Sequence, residues 1–108
     1  MRKDIYMILF VGLLISNGAE AVTTFGNRSC GTWVKDREAK SVNEMTAEFW
    51  LVGYLSGLAM LSNKDFLANT DTTSIYLWMD NYCKTNPLET IIDAGFKLGI
   101  ELMNRKDN

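Results

Sequence analysis

The two cysteines, Cys30 and Cys83, limit the folds open to this sequence more than any other feature. In a chain exported to an oxidising compartment, two cysteines most simply form one intramolecular disulfide. Such a bridge closes a long loop, which the loop-entropy model values at roughly 4 kcal/mol. Two free thiols, or a bridge between two chains, are the alternatives. The pair therefore predicts a fold in which an early and a late segment lie side by side.

Residues 1–21 have the pattern of a secretory signal. Arg2 and Lys3 give a positive start, residues 5–15 are uncharged and mostly apolar, and Ala19-Glu20-Ala21 fits a small-x-small cleavage site. The apolar run is shorter than the roughly 20 residues that span a bilayer, although an uncleaved membrane anchor is the alternative. The pattern predicts a single mature domain, residues 22–108, that is periplasmic or secreted and leaves the membrane after signal removal.

The composition argues against several classes of function. The chain has 11 Lys+Arg, 13 Asp+Glu and no histidine, with a formal net charge of −2. No clustered basic face favours nucleic acid, and two cysteines without histidine do not supply the usual zinc ligands. The carboxylates are expected mainly at helix caps or on solvent-facing sides: Glu44, Glu48, Asp71, Asp80, Glu89, Asp93 and Glu101. We therefore predict no catalytic site, no cofactor and no metal.

The segment from Thr70 to Glu89 carries the clearest helix signals. Asp71 is predicted to cap a helix, because its carboxylate can accept free N–H groups of the first turn. Asn86-Pro87 should end that helix and open the next, with Glu89 completing a capping pattern. The apolar residues between them fall at helical spacing: Ile75, Trp78, Met79 and Tyr82.

Two further helices follow from the rest of the sequence. Ser41 and Glu44 form a capping-box pattern at the start of a helix that runs to about Leu61. Residues 50–61 carry no charge, which predicts burial on more than one side at the centre of the bundle. With a short helix or turn after Cys30 and a last helix over residues 87–104, the chain is predicted to be all-α. We expect a small helical bundle of about four helices stapled by one disulfide.

Two pairs of glycines stand four residues apart, Gly53 with Gly57 and Gly95 with Gly99. A glycine inside a helix costs about 1 kcal/mol relative to alanine, so each needs a structural reason. Small residues on one face let two helix backbones approach closely. We predict that the two glycine-bearing helices cross at these positions. A small groove for a ligand or partner is the alternative.

Aromatic residues are numerous, and those at helical spacing are expected in the core. Phe49 and Tyr76 lie off the main apolar stripes of their helices. Because tyrosine and tryptophan are common anchors at protein interfaces, part of the aromatic set could form a binding patch. Phe49 and Tyr76 are therefore the candidates for an exposed partner surface.

The segment Tyr82-Cys83-Lys84-Thr85-Asn86-Pro87, with Cys30 early in the mature chain, resembles the HdeA/HdeB family of small periplasmic helical proteins. That resemblance implies acid-stress chaperoning, with unfolded proteins as clients. After loss of Arg2 and Lys3, nine of the 11 Lys+Arg remain, so protonation of the carboxylates leaves roughly nine positive charges. Self-repulsion then loosens the bundle, or a homodimer, and frees apolar surface. Whether the chain is a monomer or a homodimer stays open.

The segment Gly53-Tyr54-Leu55-Ser56-Gly57 also resembles the Gly-Tyr-x-x-Gly segment of Tai-type periplasmic immunity proteins. Those are small helical proteins that neutralise a partner toxin. This second resemblance implies tight binding of one protein partner through an exposed aromatic patch, in place of a broad set of clients.

Overall fold

The computed structural model describes residues 22–107, which form four helices. These are α1 (Cys30–Ala39), α2 (Val42–Ser62), α3 (Thr72–Thr85) and α4 (Ile91–Asp107). The only strand-like pairing in this part of the chain is an isolated bridge between Ser29 and Thr90. The prediction of a small all-α bundle is confirmed. The predicted signal, residues 1–21, lies outside the described residues.

The predicted disulfide is present between Cys30 and Cys83, whose Cα atoms are 4.7 Å apart across a sequence separation of 53. Both cysteines are fully buried. The bridge joins the first residue of α1 to the last turn of α3, so it holds together two helices that are distant in sequence.

Most of the predicted helix signals at α3 are confirmed. The Ser74 N–H donates to Asp71 Oδ1 at 2.7 Å, which makes Asp71 the N-cap, and the helix ends at Thr85 with Asn86 as the C-cap. A second cap, at α1, comes from Ser29, whose Oγ accepts from the Thr32 N–H at 3.1 Å.

The last helix begins at Ile91, four residues later than the Asn86-Pro87 pattern predicted. Residues 86–90 form a turn, and two of its carbonyl groups accept hydrogen bonds from the start of α1. The Glu89 carbonyl accepts from the Cys30 N–H at 2.7 Å, and the Pro87 carbonyl accepts from the Gly31 N–H at 3.0 Å. These two carbonyl groups accept from backbone N–H groups in the first turn of α1, which would otherwise lack a partner. They are therefore not part of the backbone hydrogen bonding of α4.

The predicted capping box at α2 is wrong in its side-chain half. Ser41 is the N-cap, but its hydroxyl makes no capping hydrogen bond. The Glu44 carboxylate instead binds Arg37 of α1. A tertiary ion pair has displaced the local contact that the sequence pattern favoured.

The core lies where α1 and α4 pack against each other and against both α2 and α3. Trp33 and Phe66 are the largest fully buried side chains, and Phe66 reaches the core from the loop between α2 and α3. The prediction that α2 is buried on more than one side is wrong. Its buried residues, Ala47, Leu51 and Leu55, form one stripe, and the opposite side is open. None of the helices in the described range is long and apolar enough to cross a membrane.

The structure places the two glycine pairs differently. A Cβ atom at Gly95 would lie 3.1 Å from Tyr54 Cε1 and 3.3 Å from Leu51 Cδ1, both on α2. A Cβ atom at Gly99 would lie 3.2 Å from Leu58 Cδ1. The glycines of α4 thus allow a close approach to α2.

The other half of the glycine prediction needs correction. At Gly53 and at Gly57, an added Cβ would have no other described atom within 4 Å beyond its own helical neighbourhood. The two glycine pairs therefore do not meet, because α2 turns Leu51 and Leu55 toward α4 and turns Gly53 and Gly57 away from it.

Gly95→Leu is expected to destabilise the fold by about 2 kcal/mol, because the new side chain overpacks the contact with Tyr54 and Leu51. For a domain of this size, that loss corresponds to a melting temperature lower by roughly 10 °C. Thermal unfolding followed by circular dichroism at low protein concentration measures it. Gly53→Leu is the matched control and should not lower the melting temperature. Equal melting temperatures for Gly95→Leu and the wild type would contradict the close approach.

Candidate functional site

One arginine, Arg37 near the end of α1, binds three carboxylates from two other helices. Its Nε and Nη2 donate to Asp80 of α3 at 2.9 and 2.8 Å, a two-point contact with both oxygens. Its Nη1 donates to Glu48 at 2.6 Å and to Glu44 at 3.1 Å, both near the start of α2. We call Arg37, Glu44, Glu48 and Asp80 the Arg37 cluster.

Two aromatic residues, Trp33 and Tyr76, complete the surroundings of Arg37. The Trp33 Nε1–H donates to Asp80 Oδ1 at 2.8 Å. The Arg37 guanidinium carbon lies 5.9 Å from the Trp33 ring centre and 5.5 Å from the Tyr76 ring centre, within cation–π range. Trp33 is fully buried, so the cluster sits directly against the core.

The cluster is partly shielded from water, which strengthens its interactions. The Arg37 side chain is 21% exposed and the Asp80 side chain 16% exposed. Charge-assisted hydrogen bonds in such a setting are stronger than those between exposed ions. The cluster thus links α1, α2 and α3 through contacts that need ionised carboxylates.

Hydrogen bonding shifts the acid–base behaviour of the cluster. Burial alone would raise the pKa of Asp80, but the hydrogen bonds from Arg37 and Trp33 outweigh burial and hold this pKa below its usual range. The hydrogen bond with Asp80 raises the pKa of Arg37 further above its ordinary value. Burial, and then the charge of Glu48, raises the pKa of the Tyr76 hydroxyl. At neutral pH, Asp80 is therefore ionised and Arg37 is charged.

A second, more exposed group joins the turn before α4 to α3. Lys97 Nζ donates to the Tyr82 hydroxyl at 2.6 Å and to Glu89 Oε1 at 3.2 Å, and the Tyr82 hydroxyl donates to the same oxygen at 2.7 Å. These hydrogen bonds, from Tyr82 first and then Lys97, lower the pKa of Glu89. A further pair, Arg28 with Asp36, lies 3.2 Å apart beside the core.

The side of α2 opposite its buried stripe presents a row of apolar and small residues. We call it the α2 outer face, and it consists of Val42, Met45, Phe49, Gly53, Ser56, Gly57 and Met60. Phe49, a candidate for the partner surface, is 65% exposed on this face.

Tyr76, the other candidate, is placed differently. It is half-buried on α3, packed against Trp33 with ring centres 6.3 Å apart and facing Arg37. The expectation that Tyr76 is exposed is therefore corrected, because the cluster draws its ring inward. Phe49 thus lies on the α2 outer face, whereas Tyr76 belongs to the surroundings of Arg37.

A cleft of about 320 Å³ lies between the start of α3 and the end of α4. Ile75, Leu98 and Leu102 form its apolar part, and Asp71 and Arg105 are among its polar residues. Within residues 22–107, no three of the potential metal-binding side chains stand close enough together to hold an ion.

Sequence reasoning missed the Arg37 cluster, since it placed Glu44, Glu48 and Asp80 at caps or on solvent-facing sides. The partners Arg37 and Asp80 are 43 residues apart, so no local pattern links them. One signal was available. Trp33 and Arg37 stand four apart on one helix, as do Tyr76 and Asp80 on another, a spacing that puts each charge beside an aromatic ring.

Comparison with protein-family models, with curated proteins and with solved structures finds no match to this chain.

Proposed function

We propose that this chain is a small exported protein that binds other proteins and opens in acid, as an acid-stress chaperone does. The observation that carries the proposal is the Arg37 cluster, in which a single guanidinium holds three carboxylates of α2 and α3. A protonated carboxyl group loses its charge attraction to a guanidinium. Protonation of these carboxylates in acid therefore weakens their contacts with Arg37.

The direction of the pH effect follows from Asp80. Because its pKa in the fold is below the ordinary value, its contribution to stability is present above the ordinary pKa of about 4. That contribution is lost as the pH falls through the lowered value. The stability lost in this window is the part that Asp80 contributes by holding α1 against α3.

Charge repulsion acts in the same direction. Once the carboxylates are neutral, the remaining lysines and arginines leave the chain strongly positive, and the compact state is destabilised. Trp33 and Tyr76, which the cluster covers at neutral pH, then become apolar surface for unfolding clients. The Cys30–Cys83 bridge still joins α1 to α3, so the opened chain cannot fully extend.

The test is light scattering of an acid-sensitive periplasmic client at about pH 2–3, where aspartate and glutamate are largely protonated. We expect the oxidised protein to reduce client aggregation at this pH and to have no effect at neutral pH. Asp80→Asn should protect the client at a higher pH than the wild type, because one contact of the cluster is already weakened. Glu38→Gln, an exposed carboxylate next to Arg37, is the matched control. Equal aggregation with and without the protein at low pH would contradict the proposal.

A second candidate function is neutralisation of one toxin partner. It is favoured by the exposure of Gly53, Ser56 and Gly57, which belong to the segment that resembles immunity proteins. Affinity capture from periplasmic extract separates the two. One stoichiometric partner at neutral pH supports the toxin reading, and a broad client set at low pH alone supports the chaperone reading.

A further inference from the structure

We infer that the α2 outer face is the contact surface for a second copy of this chain, with the two α2 helices antiparallel and crossing at Gly53 and Gly57. The inference concerns the neutral-pH state and does not depend on the acid-stress proposal. It begins from a mismatch between the sequence of α2 and its surroundings in a single chain.

The mismatch is that α2 is apolar on a side that nothing in the described chain covers. Val42 is 80% exposed, Met45 56%, Phe49 65% and Met60 83%. At 100° per residue, Val42, Phe49, Gly53 and Met60 all lie opposite the buried residue Leu51. A helix on the surface of a bundle normally carries charged or polar residues there, but residues 49–62 contain no charge.

The polar groups on this face are already satisfied within the helix. The Ser56 hydroxyl donates to the Val52 carbonyl at 2.7 Å, and the hydroxyl of neighbouring Thr46 donates to the Val42 carbonyl at 3.1 Å. Hydroxyls bonded in this way need no water partner. The face can therefore be buried without leaving unpaired donors.

Gly53 and Gly57 supply an independent reason to expect another backbone. Glycine weakens a helix relative to alanine, and within its own chain an added Cβ at either position meets only open space. No contact inside the described chain explains their presence. A second helix crossing at these positions would, because glycine lets two backbones approach closely.

The pattern along the face is self-complementary, which favours a second copy over a different protein. Its small residues, Gly53 and Ser56, are flanked by Phe49 on one side and Met60 on the other. In an antiparallel pair centred between Gly53 and Ser56, Phe49 of one copy lies beside Met60 of the second copy. Such an isologous contact repeats itself by two-fold symmetry. The face also has no charge with which to select a charged partner.

The available area is sufficient for a weak dimer. If each large apolar side chain has about 150–200 Å² when fully exposed, the four of the face offer on the order of 500 Å² per copy. Two copies together bury ~1,000 Å², the lower limit for a specific interface. Phe25 adds to this area, since its carbonyl accepts from Trp50 Nε1 at 2.7 Å, which holds the exposed Phe25 beside α2. We therefore expect a dissociation constant on the order of micromolar.

Sedimentation velocity of the oxidised, exported protein at neutral pH tests the inference over a range of concentrations. We expect a monomer–dimer equilibrium that Gly57→Leu and Phe49→Lys each weaken roughly tenfold or more. Gly57→Leu should keep the monomer's melting temperature at low concentration, because the new side chain meets nothing in its own chain. Loss of association with an intact fold is a result that a merely structural role for Gly57 does not give.

Leu88→Lys is the control, since Leu88 is 96% exposed in the turn between α3 and α4 and is not part of the α2 outer face. It should leave the association constant unchanged. A wild-type protein that stays monomeric up to ~1 mM would overturn the inference. So would a dimer that tolerates both α2 variants, or a stoichiometric complex with a different protein that Phe49→Lys abolishes while the purified chain remains a monomer.

Discussion

Replacing both Cys30 and Cys83 by alanine is expected to lower the free energy of unfolding by about 3–4 kcal/mol, the largest effect of any change considered for this chain. The bridge closes a loop across 53 residues, which restricts the unfolded chain, and both sulfurs are buried in the core. Net stabilities of small domains are about 5–15 kcal/mol, so the loss removes a large share of the total.

Urea unfolding followed by circular dichroism at neutral pH measures this loss as a lower midpoint. The reduced wild-type protein is the control, since it lacks the bridge but keeps the two sulfur atoms. Its midpoint should lie close to that of the alanine variant. An oxidised protein with the same midpoint as both would show that the bridge adds nothing to stability.

Asp80→Asn is expected to cost about 2–3 kcal/mol at pH 7. The amide keeps the shape of the carboxylate but loses its charge, which weakens two hydrogen bonds from Arg37 and one from Trp33 at a site that is 16% exposed. The cost also depends on pH. Since the pKa of Asp80 is lowered in the fold, the wild type exceeds the variant in stability above about pH 4, and the two converge as the pH falls further.

Urea midpoints of both proteins between pH 7 and pH 2 measure this convergence. Glu38→Gln removes an exposed carboxylate one residue from Arg37 and should follow the wild-type curve at every pH. A constant difference between Asp80→Asn and the wild type over the whole pH range would mean that the charge of Asp80 is not what stabilises the fold.

Local signals in the sequence were sufficient to predict the disulfide and the position of α3. A cap such as Asp71 acts within one turn, and a proline such as Pro87 acts on its neighbour, so both can be recognised without knowing the fold. The pairing of Cys30 with Cys83 needed only the count of cysteines and the prediction of export. The all-α bundle followed from these elements together.

The errors arose where the partner of a group lies elsewhere in the chain. Glu44 was predicted to cap α2, but Arg37 offers it a charged contact. The uncharged stretch of α2 was interpreted as burial on several sides, whereas one side is covered by α1 and α4 and the other is open. Periodicity shows that a helix has two apolar sides, but not which of them its own chain will cover.

The Arg37 cluster shows that the same limit applies to sites. Asp80 is an ordinary helical aspartate in the sequence, and it becomes a partly buried ion only because α3 packs beside α1. Tyr76 was expected at the surface for the same reason, since its neighbours Trp33 and Arg37 are not visible from α3 alone.

The carbonyl groups of Pro87 and Glu89 cap the start of α1, so the first helix depends on residues that are synthesised late. Cys30 leaves the ribosome well before residues 83–89 do. During that interval α1 has neither its disulfide partner Cys83 nor the carbonyl groups that cap its first turn. A ten-residue helix is marginal on its own in water. Vectorial synthesis therefore delivers an unanchored first helix with a reduced thiol, and an oxidase acting before Cys83 emerges could join that thiol only to another molecule.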